Sequence, residues 1–344
     1  MTSPTLTVNL AAIKANYQSL TSAHAKKNCG AVVKANAYGL GVERVSKALF
    51  QAGCREFFVA TLFEGIELRG ILPDVPIAVF NGIFPGEEKE FAAYRLTPVL
   101  NSLEQATRFK GEAILHVDTG MTRLGLTETD LKKLNPDALN LRYVMSHLAC
   151  AGKAENPKNA EQLARFKAAL KYFPGVKASF ANSAGLFMSP EFHFDLGRPG
   201  CALYGIHSCH GSNSLQHVAA LSAPILQLRE TDRDETVGYG ASFIAKKGTR
   251  LAIIALGYAD GVSRSLSNLG SAYVGGVKVP FAGRVSMDMI ALDVSALPAN
   301  LLLDSRVEFI NEKQTVNDVA DASHTIGYEI FTRIGRRVKR EYIG

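Results

Sequence analysis

Residues 30–61 read GAVVKANAYGLGVERVSKALFQAGCREFFVAT, and the reading of this stretch decides the fold class. Two short β-rich apolar runs, GAVVKA (30–35) and FFVAT (57–61), flank Val42–Gln51, where apolar residues recur at three- and four-residue spacing as on one face of a helix. Strands joined through a helix are expected to lie parallel, because parallel neighbours need a crossover of that length. The pattern then repeats. IAVFN (77–81), TPVLN (97–101), AILHVDT (113–119), RYVMSHLA (142–149), KASFANS (177–183) and FDLGRPG (194–200) complete eight runs, with helical candidates between them such as Glu87–Ala93 and Asn159–Tyr172. Eight such units in about 200 residues match the size of an α/β (β/α)8 TIM-type barrel. An open doubly wound sheet is the rival, and the count of eight favours closure.

Beyond Ser214 the texture changes. SAPILQLRE, ETVGYGASF, TRLAIIALGYADG, GSAYVGGVKVPFAGRVSMDMIALDVS and SRVEFI are long β-branched segments with glycine turns. They predict a C-terminal, mainly antiparallel β-domain with Gly275-Gly276 as a hairpin turn. One clear helix is expected there, TVNDVADAS, capped by Thr315 or Asn317. The expected domains are 1–213, a cofactor-binding barrel whose first few residues are free to pair with the β-domain, and 214–344. With no Ser- or Pro-rich linker, the two are expected to pack closely.

Composition narrows the function classes. The 344 residues are 47% apolar and 20% charged, the balance of a packed globular protein. No apolar run approaches the ~20 residues of a membrane-spanning helix, and MTSPTLTVNLAAIKANYQSL carries neither a basic leader nor an unbroken apolar stretch. Cys29, Cys54, Cys150, Cys201 and Cys209 are dispersed with no CxxC pair, which fits buried, reduced thiols in the cytoplasm and gives no metal site. The formal charge of +6 is spread along the chain except in RIGRRVKREY (333–342). There the basic residues alternate with Ile334, Val338 and Tyr342, as on the solvated face of an edge element. No nucleic-acid motif accompanies the charge, so neither a nucleic-acid nor a membrane partner is expected.

In a barrel, reactive groups stand at the C-terminal ends of the strands. The first run ends in Lys34, the fifth near Asp118 and Arg123, the sixth at His147, the seventh at Asn182 and Ser183, and the eighth at Arg198 and Gly200. Each has a bland alternative: a solvated lysine, a helix-capping serine, a rim ion pair. Together they suit pyridoxal phosphate, which offers an aldehyde to an amine and a phosphate to backbone N–H groups at the last two strand ends. A permanent cation such as Arg198 at the pyridine nitrogen would make the cofactor a weaker electron sink. Exchange of a single α-proton, and so racemisation, is favoured over transamination.

These residues lie within AVVKANAYGLG, VDTGMTRLG, MSHLA, FANSAG, GRPGCALYG, VGYGASF, GYADGVSR, GRVSMDM and TIGYEI, which in this order resemble the bacterial alanine racemases from about Lys34 to Tyr328. The resemblance implies a fold-type III homodimer with shared active sites, interconverting L- and D-alanine and supplying D-alanine for peptidoglycan in the cytoplasm. By that resemblance Lys34 is the cofactor-bonding lysine and the base on the D-alanine face, and Tyr239, reaching in from the partner subunit, is the base on the L-alanine face. Tyr38, Ser183, the Gly200-Cys201 peptide and Tyr328 are similar to the phosphate-binding set, and Arg198 to the pyridine-nitrogen partner. His147 resembles the link between Arg198 and the tyrosine. Arg123 and the backbone N–H of Met287 resemble the substrate-carboxylate groups, and Tyr258, Arg264 and Arg284 the lining of the substrate corridor. Two positions depart from the family pattern. His116 stands seven residues before Arg123, where many members carry a carbamylated lysine, and imidazole holds no stable carbamate. Gly152 and Lys153 replace an expected acidic residue after SHLA. A broader amino-acid racemase, a decarboxylase or a cofactor-carrying barrel remain alternatives; Arg198 argues against the decarboxylase and the β-domain against the carrier.

Overall fold

The computed structural model describes residues 3–209, 214–298, 303 and 305–344, and it divides into two units: Ala11–Gln216, and Met1–Leu10 together with His217–Gly344. Residues 1, 2 and 210–213, including the expected domain limit at 213, lie outside the described residues.

Within Ala11–Gln216, seven strands pair in parallel and in sequence order among the described residues: Ala31–Val32, Phe57–Val59, Ile77–Val79, Thr97–Leu100, Glu112–His116, Asn140–Met145 and Ala178–Ser179. The eighth run closes the ring. Gly197 bridges Cys29 in parallel on one side, and Arg198 bridges Asn182 on the other. The Val32 N–H donates to the Pro199 carbonyl and the Arg198 N–H to that of Ala181. The strands are shorter than their runs. Phe57, Val79, Leu100, Leu115, Val144 and Phe180 fill the interior with almost no exposure, at up to about 25 cal/mol per Å2 of apolar surface removed from water.

The helices follow local chemistry. Val42–Gln51 buries Val42, Val45, Ala48 and Leu49 on one face. Leu62–Ile71 starts at a capping box, in which the Thr61 hydroxyl accepts the Glu64 N–H and the Glu64 carboxylate accepts that of Thr61. Pro157–Leu170 opens on an Asn156 cap with Pro157 in its first turn, and its Phe166 stacks on Phe180 at 4.8 Å.

The other unit is built on the long strand Ala219–Glu230. Its first half pairs antiparallel with Thr5–Asn9 and with Arg306–Ile310, its second half with Arg250–Ile254. Lys339–Ile343, from the basic C-terminal cluster, lies at the sheet edge, parallel to Thr5–Asn9. Gly275 and Gly276, at φ 56° and 79°, form the two-residue turn between Ser271–Val274 and Val277–Pro280. Thr315 caps Val316–Ala322. A second helix, Gly327–Thr332, was not expected from sequence: Ile326 precedes it without a side-chain cap, and the burial of Ile330 and Phe331 is what holds it.

Candidate active site

The site begins with a distortion. Directly after Ala31–Val32 and Lys34, the residues Ala35, Asn36, Ala37 and Tyr38 take φ of 52°, 54°, 51° and 55°, one turn of left-handed backbone. For L-residues this conformation costs roughly 1–2 kcal/mol each, and such strain collects at functional sites. It is held from several sides. Glu64 Oε1 accepts the Ala35 N–H at 2.6 Å while its other oxygen accepts Ala60 and Thr61. Asn36 Oδ1 accepts the Val42 N–H at 2.7 Å. The turn brings Tyr38 against the last strand end, where a Cβ on Gly200 would lie 2.4 Å from its hydroxyl. Only glycine admits that approach.

Around this turn the seventh and eighth strand ends meet. Ser183 Oγ accepts the backbone N–H of Gly200 at 2.9 Å and of Ala202 at 3.3 Å. It thereby ties the seventh strand end to the eighth, and does not cap the turn of its own segment. Tyr38 stands 4.8 Å from Tyr204, ring to ring, with its hydroxyl pKa raised by burial. Arg198, 3% exposed, donates to the Ser179 hydroxyl and the Ser146 carbonyl, and burial brings its guanidinium down to about 9. Its acceptors are neutral oxygens, so the cation persists at neutral pH without being cancelled. Sequence reasoning missed Ser146 and Ser179; being lone serines at strand ends, they give no local signal. Glu64 was also missed, although its spacing from Thr61 marks a capping box.

Positive charge surrounds two histidines. His147, half-buried, is held well below its ordinary pKa by burial and then by Arg198, Arg123, His116 and Lys34. Its Nε2 lies 3.5 Å from the Asn182 amide nitrogen. His116 is pushed down to about 4 by burial, with Arg198 and Arg123 adding to the effect and Asp118 opposing it. Its Nδ1 is 2.8 Å from Asn101 Oδ1. The Asn101 amide nitrogen is already donating to the Phe80 and Val99 carbonyls, so Oδ1 is the acceptor and Nδ1 carries the proton. Both rings are neutral at physiological pH. Asp118 Oδ1 accepts the N–H groups of Gly120, Met121 and Thr122 at 2.8–3.1 Å. Burial raises its pKa, but these three bonds outweigh it and leave the carboxylate favoured. They shape the loop that carries the exposed Arg123. Gly152 packs tightly, its missing Cβ 2.8 Å from the Ser208 carbonyl.

Lys34 itself has a lowered pKa, chiefly from burial and next from Arg123, with Glu64 pulling the other way. Its Nζ sits 5.8 Å from the Phe80 ring centre. The amine is thereby shifted toward the neutral, nucleophilic form.

The β-unit places its candidate residues on its surface. Tyr239 is 74% exposed on the turn Tyr239–Ala241 between Glu235–Val237 and Phe243–Ala245; it is not a packed strand aromatic. It borders a cavity of about 550 Å3 that is also lined by Arg229, Val237, Arg284 and Met289. Met287 and Tyr258 sit on two turns joined by backbone hydrogen bonds, from the Tyr258 N–H to the Ser286 carbonyl and from the Ala259 N–H to the Met287 carbonyl. Arg264 starts the short helix Arg264–Leu266, and Tyr328 lies in Gly327–Thr332.

The barrel's donor set fits pyridoxal phosphate. A half-buried amine of lowered pKa can meet an aldehyde, and a close-packed cradle of Tyr38, Ser183 and the Gly200-Cys201 peptide can meet a phosphate. A barrel with these groups at its strand ends defines a pyridoxal-phosphate enzyme. Family models describing the N-terminal and C-terminal domains of alanine racemase match residues 8–208 and 218–342. The chain is 44% identical to the alanine racemase of Rickettsia rickettsii, over 99% of each chain. It is 45% identical to a catabolic alanine racemase of Agrobacterium fabrum, over 98% of this chain and 92% of that one. Its fold matches the crystal structure of alanine racemase from Bartonella henselae with covalently bound pyridoxal phosphate, at a TM-score of 0.94 and 41% identity over the whole of both chains. The biosynthetic alanine racemase of Pseudomonas aeruginosa follows at 0.89 and 34%, again over both whole chains. The chain belongs to the alanine racemase family.

Proposed function

We propose that this protein interconverts L- and D-alanine as a homodimer with shared active sites, Lys34 and Tyr239 of the partner subunit acting on opposite faces of the substrate. Pyridoxal phosphate, bonded to Lys34, supplies an electron sink for the charge that develops at the substrate Cα. Tyr38, Ser183, the Gly200-Cys201 peptide and Tyr328 hold its phosphate, and Arg198 faces its ring nitrogen. Arg123 and the Met287 N–H orient the carboxylate. Lys34 Nζ then moves the Cα proton on the D-alanine face, and the Tyr239 hydroxyl does so on the L-alanine face. His147 links that tyrosine to Arg198. His116, neutral and hydrogen-bonded to Asn101, occupies the place of the carbamate beside Arg123. Tyr258, Arg264 and Arg284 line the substrate corridor.

The observation that carries racemisation over other chemistry is Arg198, a buried cation bonded to neutral oxygens. At the ring nitrogen it limits how much charge the sink withdraws, which suits removal and return of one proton. The enzyme would work in the cytoplasm and supply D-alanine to peptidoglycan.

Subunit complementation tests the shared site. Inactive Lys34→Ala and Tyr239→Phe chains, mixed and reassociated, should recover about a quarter of wild-type activity, because about half the dimers are mixed and each mixed dimer has one site with both bases intact. If each site uses its own chain's tyrosine, mixing restores nothing.

A further inference from the structure

The basic cluster at 333–342 takes no part in the proposed mechanism, but one of its residues, Arg337, is tied to the site's β-unit turns. The Arg337 guanidinium donates through Nε to Asp260 Oδ1 at 2.6 Å and through one terminal nitrogen to Asp260 Oδ2 at 3.0 Å. That same nitrogen reaches the Met287 carbonyl at 3.3 Å, and the other donates to Asp288 Oδ1 at 2.7 Å. Asp260 is 2% exposed and also accepts the Gly257 N–H at 2.8 Å. One side chain therefore joins the turn at 257–261 to the turn at 286–289.

The three segments are packed with little freedom. A Cβ on Gly257 would lie 2.3 Å from the Met287 carbonyl oxygen, and one on Gly335 would lie 2.7 Å from the Ala259 carbonyl oxygen. Bidentate pairing fixes orientation as well as distance, which a lysine cannot reproduce. A buried carboxylate that loses its guanidinium must find solvent or a new donor, and Asp260 could do so only by moving the turn it belongs to.

We propose that Arg337 is a positioning residue for substrate binding: it sets the Met287 peptide, and hence the N–H assigned to the alanine carboxylate. This rests on the racemase reading above. Arg337→Ala should raise KM for L-alanine and the inhibition constant of propionate together, by about 5- to 50-fold, with kcat changed less than about threefold. Propionate carries the carboxylate without the amine, so it reports the carboxylate contacts apart from those of the amine. Arg337→Lys should recover part of the loss. Amide hydrogen exchange at 286–289 should quicken in Arg337→Ala, a readout independent of turnover.

Arg340→Ala is the control for damage to the C-terminal segment, since the Arg340 guanidinium donates to carbonyls of its own stretch, at Ile334, Gly335 and Val338. It should lower thermal stability without moving KM. If Arg337→Ala behaves in the same way, losing stability or active fraction with KM and the propionate constant unchanged, the positioning role is overturned. A wild-type protein that turned over no alanine would sink the racemase reading instead. The role of Arg337 would then be judged on exchange, and unchanged protection at 286–289 would overturn it.

Discussion

The two units present several of their candidate residues in opposite ways. In the barrel, Arg198, Ser183 and Tyr38 are 3%, 5% and 7% exposed, whereas in the β-unit Tyr239, Met287 and Tyr258 are 74%, 52% and 43% exposed. The barrel orients its groups internally, by strain at Ala35–Tyr38 and by bonds from Ser183 and Arg198 across strand ends. In the β-unit, Arg337 and the close Gly257 contact tie the Tyr258 and Met287 turns together, and Tyr239 stands exposed on a separate turn. The contrast teaches that the barrel builds a buried pocket while the β-unit builds an exposed surface.

Single substitutions can break that comparison. Lys34→Ala should have the largest effect, removing both the cofactor's visible absorbance and racemisation, by ~10⁴-fold or more in the rate of decay of optical activity. Tyr239→Phe should cost ~10² to 10⁴-fold in racemisation while keeping the absorbance. If it loses the cofactor as well, the division into a holding barrel and a reacting β-surface is wrong. If it keeps full activity, the two-base assignment fails.

Gly200→Ala sharpens the comparison within the barrel. Its Cβ would meet the Tyr38 hydroxyl at 2.4 Å, so either the strained turn or the last strand end must shift. Cofactor affinity should fall about tenfold or more by absorbance titration, a loss of roughly 1.4 kcal/mol. Unchanged affinity would separate Tyr38 from the cradle.

The smallest effect concerns stability. His116 has a folded-state pKa of about 4 against an ordinary 6.5, so between these values the unfolded chain takes up a proton that the folded one refuses. The contribution is fully present above pH 6.5 and is lost as pH falls toward 4. Its size is about 3 kcal/mol, at 1.36 kcal/mol per pH unit. His116→Asn should flatten that acid limb in urea titrations at pH 7, 5.5 and 4.5. An unaltered pH dependence would place the acid sensitivity elsewhere.

Much of this was legible beforehand because it is local. Alternating strand and helix periodicity located the eight barrel runs, and Thr315 and the Gly275-Gly276 pair marked a helix start and a hairpin. The shape of the strand ends was not legible. GAVVKA reads as a strand through Lys34, but its last residues enter the left-handed turn, since Glu64, about thirty positions on, satisfies the Ala35 N–H. Arg198 was recognised as a site residue, whereas its acceptors Ser146 and Ser179 were not. Arg337 read as part of a solvated basic run.

The sequence by itself determined the family and the parallel order of the barrel strands, along with the residue types at their ends. Periodicity and turn chemistry are written over a few neighbouring positions, and motifs over about ten. Only the tertiary structure decided which groups are neutral, which are strained and which are clamped. Those properties depend on desolvation and on partners dozens to hundreds of residues away, such as Asp260 for Arg337 and Ser146 for Arg198. A charge read from sequence has a sign; its environment gives it a pKa and a direction.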